Sequence, residues 1–132
     1  ATAMSRLEPT ATGERGAIVN MTSVAAFDGQ IGQAAYSSSK GGVVGLTLPV
    51  ARDLSAVGIR VNTVAPGLID TPIYGEGEAS GAFKAKLGQS VLFPHRLGKP
   101  EELASMVIEL ITNSYMNAEV VRVDGGIRMP PK

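Results

Sequence analysis

Residues 17–64 constrain the fold more than any other stretch, because they alternate between two kinds of hydrophobic pattern. Ala17–Met21 is a short apolar run that predicts a buried strand. A long helix is predicted from Ala34 to about Ala56, and Ile59–Val64 is predicted to be the next strand. A strand, a helix and a strand in this order form a parallel pair joined by a right-handed crossover. The pattern therefore predicts an α/β fold, in which ligands bind beyond the carboxyl ends of the strands.

The long predicted helix is apolar on more than one face, which indicates that it is buried on two sides. One side is expected to pack on the sheet, and the other is open to a partner subunit. Gly58 follows the helix and fits a C-terminal cap. The apolar residues of this helix are Val43, Val44, Leu46, Leu48, Val50, Ala51 and Leu54.

The second half of the chain alternates glycine-rich turns with two more helices and a strand. Pro66-Gly67 ends the second strand sharply. Gly75–Gly81 holds three glycines in seven residues and is expected to be a mobile, solvated loop, followed by a short helix over Ala82–Leu87. Pro100 and the two acids after it predict a helix start, because acids are favoured at the positive end of the helix dipole. Glu119–Val123 is predicted to be the last strand.

The composition narrows the classes of function. Of the 132 residues, 44% are hydrophobic and 18% charged, as suits a packed domain rather than a disordered segment. Twelve basic and twelve acidic residues cancel, which argues against a nucleic-acid partner or an anionic membrane surface. No apolar run approaches the ~20 residues that span a bilayer. The sequence has no Cys, which excludes disulfides, and one His, so a bound metal is not expected. Taken together, these features of the composition predict a cytoplasmic protein.

Tyr36 and Lys40 are the most informative pair of reactive side chains, because four residues on a helix place the phenol and the ammonium on one face. A free phenol has a pKa of about 10, and a cation one turn away favours the phenolate and lowers that pKa toward the working range. Ser23 lies at the end of the first predicted strand, where its hydroxyl can hold a substrate oxygen while Tyr36 transfers a proton. The pair alone is a weak signal, and the strand, Ser23 and the neighbouring glycines make the arrangement more specific.

The segment NMTSVAAFDGQIGQAAYSSSKGG, residues 20–42, resembles the catalytic core of the short-chain dehydrogenase/reductase family. The resemblance implies a Rossmann-like doubly wound parallel sheet, with Ser23, Tyr36 and Lys40 as catalytic residues. Tyr36 is then the general acid/base, and Lys40 lowers its pKa and hydrogen-bonds the nicotinamide ribose. Ser23 is expected to orient the substrate carbonyl or hydroxyl. Tyr36 and Lys40 therefore count as cofactor-binding residues as well as catalytic ones.

The run APGLIDT, residues 65–71, resembles the loop with which this family holds the nicotinamide carboxamide. The resemblance implies that the main chain of Ile69 and the hydroxyl of Thr71 bind the carboxamide. Pro66 and Gly67 are then expected to form the wall of the nicotinamide site. The alternative interpretation is an ordinary turn that ends a strand. Asn62, in the strand before this loop, is interpreted as a structural hydrogen-bonding residue.

Four runs, the first of them inside residues 20–42, resemble one group of this family, the type 2 3-hydroxyacyl-CoA dehydrogenases: AAFDGQIGQAAYSSSKGG, GLTLPVARDL, FPHRLGKPEE and VVRVDGGIRMPP. That group implies NAD as the cofactor, with NADP not excluded, and a small-molecule substrate of the acyl-CoA or hydroxysteroid kind. Ser23, Gln30 and Tyr36 are the expected substrate contacts. The group also implies a homotetramer or homodimer, assembled through the long helix after Tyr36 and the C-terminal strand region. Ile73–Phe93 corresponds to the family's substrate lid, and His95 is interpreted as structural or surface.

Complete members of the family carry a glycine-rich phosphate loop, an acidic residue that recognises the cofactor ribose and an Asn-Ala-Gly run. Residues 1–132 contain none of these three features. Residues 1–132 are therefore expected to be a partial single domain, the carboxyl-terminal half of such an enzyme. Without the dinucleotide-binding half, the piece is expected to bind NAD poorly and to be inactive by itself. The open alternatives are a 3-ketoacyl carrier-protein reductase, a hydroxysteroid dehydrogenase or an epimerase of the same family, or a non-catalytic fragment or interaction module.

Overall fold

The computed structural model describes residues 1–75 and 77–132. Within these residues the strands are β1 (Gly16–Met21), β2 (Ile59–Pro66) and β3 (Val120–Val123). The α-helices are α1 (Ala34–Ser55), α2 (Glu78–Gly88) and α3 (Pro100–Thr112), and short 3-10 turns cover Met4–Arg6, Val24–Ala26 and Pro72–Tyr74. The predicted order of strands and helices from residue 17 onward is confirmed.

The three strands form one parallel sheet in the order β1–β2–β3. Met21 pairs with Val64, and Pro66 pairs with Val123. Because all three strands run in the same direction, their carboxyl ends meet at one edge of the sheet. The loops that follow β1 and β2 therefore begin at the same edge, where the sequence placed the predicted site.

Strand β2 is the centre of the core, and every residue from Ile59 to Ala65 is buried. The Thr63 hydroxyl lies 2.6 Å from the Thr47 hydroxyl of α1. On the other face of the strand, Arg60 donates a hydrogen bond to a carbonyl at the end of α3. Since successive side chains of a strand point to opposite faces, α1 and α3 cover opposite faces of the sheet. This is the doubly wound α/β arrangement that the sequence predicted.

Asn62 is a structural hydrogen-bonding residue, as predicted. Its side chain is fully buried on the α3 side of β2. The amide nitrogen donates to the Met116 carbonyl at 2.8 Å, and the amide oxygen accepts from the Glu119 N–H at 3.1 Å. The two bonds hold the start of β3 against β2.

Helix α1 packs on the sheet through Thr47 and Ala51, its two buried residues. Gly58 closes the connection to β2 with a φ of 70°, a left-handed conformation that suits glycine, and its N–H donates to the Ser55 carbonyl. Leu46 and Leu48 are 40% and 44% exposed and lie on opposite flanks of the helix, because residues two apart do not share a face. No helix within residues 1–75 and 77–132 combines the length and the hydropathy that a membrane crossing requires.

Helix α2 begins earlier than the sequence predicted. It covers Glu78–Gly88, so the expectation of an irregular loop reaching Gly81 is wrong for the second half of that loop. Gly77, with a φ of 77°, turns the chain into the helix, and the Ser80 hydroxyl donates to the Gly77 carbonyl at 2.8 Å. The predicted mobility of Glu76 concerns a position outside the described residues.

Candidate active site

Ser23 lies two residues after the end of β1 and caps the 3-10 turn Val24–Ala26. Its hydroxyl oxygen accepts a hydrogen bond from the Ala25 N–H at 3.1 Å. Val24 and Ala25 are both 2% exposed, so the turn is anchored in the core. The turn therefore fixes the Ser23 hydroxyl at the carboxyl edge of the sheet, where the sequence predicted it.

Tyr36 and Lys40 lie in the first turns of α1, on one face of the helix. The Lys40 ammonium lies 5.8 Å from the centroid of the Tyr36 ring. The same ammonium donates to the Met21 carbonyl, the last of β1, at 3.4 Å. Lys40 thus connects Tyr36 with the strand end that precedes Ser23. Tyr36 is 48% exposed, so its phenol is accessible from outside the chain.

Thr22 is a positioning residue that the sequence analysis missed. Its side chain is 4% exposed, and its hydroxyl donates to the Lys40 main-chain carbonyl at 2.7 Å. This bond ties the first turns of α1 to the end of β1. The available signal was a hydroxyl directly after an apolar run and beside Ser23.

The loop from Pro66 to Thr71 lies at the same edge of the sheet. The Gly67 N–H donates to the Val123 carbonyl at 3.0 Å. A Cβ at Gly67 would lie 2.7 Å from the Cα of Asp124, so the close approach of β2 and β3 requires glycine there. Thr71 precedes the 3-10 turn Pro72–Tyr74 and is partly buried.

Ile69, the predicted main-chain cofactor contact, is held by pairing with Gly98. It forms a parallel bridge with Gly98, in which the Asp70 N–H donates to the Gly98 carbonyl and the Gly98 N–H donates to the Leu68 carbonyl, both at 2.8 Å. In a parallel bridge of this kind the peptide groups of the central residue point away from the partner. The N–H and C=O of Ile69 therefore face away from Gly98.

Tyr74 is a second aromatic residue at the site, and the sequence analysis did not select it. Burial raises the pKa of the Tyr74 phenol, and the neighbouring Tyr36 adds to that rise. Its ring lies 6.5 Å from the Phe83 ring of α2, centroid to centroid. Tyr74 therefore links the surroundings of Tyr36 with the predicted lid.

Gln30 lies in the loop after Ser23, and the C-terminal residues hold it there. Its side-chain amide donates to the Pro130 carbonyl at 3.0 Å. The N–H of Ile31 donates to the Pro131 carbonyl at 2.9 Å. The Gln30 side chain, which is the predicted substrate contact, is therefore already hydrogen-bonded to the C-terminal segment through its amide group.

An ion pair fastens the same loop to β3. The Arg122 guanidinium donates to the Asp28 carboxylate at 2.7 Å and to the Asp124 carboxylate at 2.7 Å. The hydrogen bond from Arg122 lowers the pKa of Asp28 against the opposing effect of burial. These contacts fix the loop that carries Gln30 relative to the end of β3.

His95 lies away from this group, on the exposed segment between α2 and α3. Its ring stacks edge-on against Phe93 at 6.4 Å, and its φ is 60°. The arrangement agrees with the structural or surface interpretation. Within the described part of the chain, no three His, Asp or Glu side chains are grouped as metal ligands.

Comparisons with known proteins extend over nearly the whole chain. Residues 1–128 match a family model described as enoyl-(acyl carrier protein) reductase. The chain is 54% identical over 128 residues to the 3-hydroxyacyl-CoA dehydrogenase type-2 of Bos taurus, covering 97% of this chain and 48% of the relative. It is 41% identical over 114 residues to the 3-oxoacyl-(acyl-carrier-protein) reductase of Thermotoga maritima, covering 85% of this chain and 45% of that protein.

A solved structure gives the same result for the fold. The crystal structure of 3-hydroxyacyl-CoA dehydrogenase type-2 from Mycobacterium avium matches with a TM-score of 0.92 and 50% identity, over 99% of this chain and 50% of that one. The predicted Rossmann-like α/β fold is therefore confirmed. The chain spans about half the length of the curated relatives it matches.

Proposed function

Because the chain belongs to the short-chain dehydrogenase/reductase family, we propose that Ser23, Tyr36 and Lys40 serve an NAD-dependent oxidoreductase. The proposed reaction interconverts a 3-hydroxyacyl-CoA and a 3-ketoacyl-CoA. The names of the type-2 relatives support this substrate class. Since the chain covers about half of those relatives, the reaction is assigned to the protein encoded by the complete reading frame.

The observation that carries the proposal is the position of the Lys40 ammonium between the Tyr36 ring and the end of β1. The ammonium lies 5.8 Å from the ring centroid, so a positive charge stands beside the phenol that is proposed as the acid/base. The hydrogen bond to the Met21 carbonyl keeps this cation beside the strand end that carries Ser23. Thr22 holds the Lys40 main chain from the other side.

In the proposed mechanism, Tyr36 accepts the proton of the substrate hydroxyl during oxidation and returns it to the ketone oxygen during reduction. The Ser23 hydroxyl donates a hydrogen bond to that same oxygen and orients it toward Tyr36. When bound, the nicotinamide supplies or removes the hydride at the substrate carbon. The residues present fit such a cofactor, because Lys40 offers a cationic donor and the Ile69 peptide groups face away from Gly98.

The deciding variant is Tyr36→Phe, which removes the proposed acid/base and keeps the ring. NADH oxidation with acetoacetyl-CoA, measured on the protein from its complete reading frame, is expected to fall by about 10²–10⁴-fold. NADH binding, measured by fluorescence, is expected to stay within about threefold of the wild type, because Lys40 and the loop from Ile69 to Thr71 keep their proposed cofactor contacts. Turnover that stays near the wild-type rate would refute the proton-transfer role.

Tyr115→Phe is the matched control. Tyr115 is 98% exposed, in the loop after α3, and the variant deletes the same hydroxyl from a different part of the surface. Its activity is expected to equal that of the wild type. Loss of activity in both variants would show that the assay responds to something other than the Tyr36 hydroxyl.

The remaining alternatives differ in their substrate and cofactor. The 41% identity to a carrier-protein reductase supports testing acetoacetyl carrier protein beside acetoacetyl-CoA, with NADH and NADPH in parallel. A higher kcat/KM for the carrier-protein thioester with NADPH would favour the reductase. No turnover of either thioester or of a hydroxysteroid would favour a non-catalytic binding module.

The oligomer is proposed to be a homotetramer or homodimer assembled through α1 and the C-terminal strand region. Leu46 and Leu48, on the two flanks of α1, are 40% and 44% exposed, which supports a partner beside this helix. Sedimentation velocity tests the proposal, with Leu46→Glu as the variant expected to shift the protein to a smaller species. A wild-type monomer would contradict it.

A further inference from the structure

An apolar cleft of about 500 Å³ lies between α2 and the C-terminal tail, residues Ile127–Lys132. Its volume falls in the usual range of small-molecule sites, roughly 300–1,000 Å³. The apolar side chains that line it are Leu68, Phe83, Leu87, Ile127, Met129 and Pro130. A cleft with such walls accepts an aliphatic or thioester arm.

The tail side of the cleft is built into the fold. Ile127 is 2% exposed and packs in the core with Val24 and Val91. Farther along, the Pro130 carbonyl accepts the bond from Gln30 described above. This wall is therefore held in place before any ligand arrives.

The cleft lies beside the proposed active site. Phe83 lines the cleft, and its ring also contacts that of Tyr74. Tyr74 in turn lies near Tyr36, which contributes to the raised pKa of the Tyr74 phenol. A ligand in the cleft can thus present one end toward Tyr36 while its other end leaves between α2 and the tail.

Two cations line this cleft, Lys86 from α2 and Lys132 from the tail. Both side chains are exposed, so their ammonium groups can meet a ligand in water. Within the described residues, no Asp or Glu side chain lines the cleft. The cleft therefore combines apolar walls with positive charge, which complements a ligand that has an apolar arm and an anionic end.

We propose that Lys86 and Lys132 determine the specificity of this cleft for the phosphate-bearing end of an acyl-CoA, whose thioester arm lies along the apolar walls. The proposal rests on the proposed function for the position of the reacting carbon. It adds that CoA thioesters are distinguished from other 3-keto substrates by their phosphates. Lysine is suited to this role as a point charge toward phosphate.

The test compares acetoacetyl-CoA with acetoacetyl-pantetheine, which has the same thioester arm without the nucleotide phosphates. In Lys86→Ala and Lys132→Ala, the KM for acetoacetyl-CoA is expected to rise by about 3- to 10-fold each, with kcat nearly constant, as for a lost ground-state contact. The KM for acetoacetyl-pantetheine is expected to change little. Lys86→Arg is expected to restore most of the lost affinity, and added salt to reduce the wild-type preference for the CoA ester.

Lys84→Ala is the matched control. Lys84 is on the same helix, and its ammonium pairs with the Asp70 carboxylate at 2.8 Å. The variant removes the same charge from a side chain that does not line the cleft. Its KM for acetoacetyl-CoA is expected to be close to that of the wild type.

The outcomes separate this proposal from the proposed function. An unchanged KM for acetoacetyl-CoA in the double variant, which combines Lys86→Ala and Lys132→Ala, would overturn the phosphate contact, even if the enzyme is fully active. An equal rise for both thioesters would also overturn it, because the lysines would then act on the cleft wall. If neither thioester is turned over, the proposed function fails, and calorimetric titration with CoA decides the inference. Binding that the double variant loses supports it, and binding that is absent or independent of the lysines overturns it.

Discussion

Replacing Arg60 by methionine is expected to lower the free energy of unfolding by about 3–5 kcal/mol. Arg60 is 7% exposed in the central strand β2. Its guanidinium donates to the Glu14 carboxylate at 2.8 and 3.1 Å. It also donates to three main-chain carbonyls, those of Leu110 and Met116 at 2.8 Å and that of Ile111 at 2.7 Å.

The magnitude follows from what the substitution leaves behind. Methionine fills most of the volume but donates no hydrogen bond, so the Leu110 and Ile111 carbonyls and the Glu14 carboxylate lose the donor that Arg60 supplies. The Met116 carbonyl keeps its bond from Asn62. Each buried acceptor left unsatisfied costs about 1–3 kcal/mol, and relaxation and water entry recover part of the sum. The expected loss is a large share of the roughly 5–15 kcal/mol that stabilises a typical protein.

Urea unfolding followed by circular dichroism measures the effect, with Arg52→Met as the control. Arg52 is an exposed arginine of α1, and its replacement is expected to change the free energy of unfolding by less than about 0.5 kcal/mol. Glu14→Gln isolates the charge of the carboxylate, since glutamine still offers an oxygen to Arg60. A loss below about 1 kcal/mol in Arg60→Met would refute the argument that its hydrogen bonds hold β2 to the end of α3.

The same interaction predicts a pH dependence. The hydrogen bond from Arg60 is the largest influence on the Glu14 carboxyl and lowers its pKa below the ordinary value of 4.5. The folded-state pKa is therefore below the unfolded one, so the stabilisation is present above about pH 4.5 and is lost as the pH falls through the folded-state pKa. Arg60→Met and Glu14→Gln are both expected to lose this part of the acid sensitivity. If the free energy of unfolding decreases by the same amount in the wild type and in both variants as the pH falls, the assignment to the Arg60–Glu14 pair is wrong.

Two further substitutions test the packing beside the proposed site. Within residues 1–75 and 77–132 the buried Ser37 hydroxyl has no hydrogen-bond partner, so Ser37→Ala is expected to leave the unfolding free energy unchanged or to raise it by up to about 1 kcal/mol. A clear loss in urea unfolding would show that the hydroxyl has a partner. Gly67→Ala forces β2 and β3 apart at Asp124 and is expected to cost about 1–3 kcal/mol and to raise the KM for NADH. Wild-type stability and KM together would show that the loop accommodates a methyl group.

The sequence predicted most of the fold because each element has its own local signal. The apolar runs of β1 and β2 and the helix start at Pro100 depend on neighbours within a few residues. The pairing of Tyr36 with Lys40 follows from the helical repeat in the same way. By contrast, the start of α2 was misplaced, because glycines favour a loop locally and the helix nevertheless begins at Glu78.

Only the tertiary structure decided which distant groups meet at the site and in the core. The Gln30 amide meets a carbonyl 100 residues later in the chain, and the Asp28–Arg122 ion pair joins residues 94 apart. The apolar residues next to Arg60 in the sequence did not indicate that its side chain binds Glu14 and the end of α3. Local patterns fix the type of each element, since its hydrogen bonds and side-chain period are internal to it. The strand order and register then bring remote side chains together, so the tail wall of the cleft and the buried Arg60 network exist only in the folded chain.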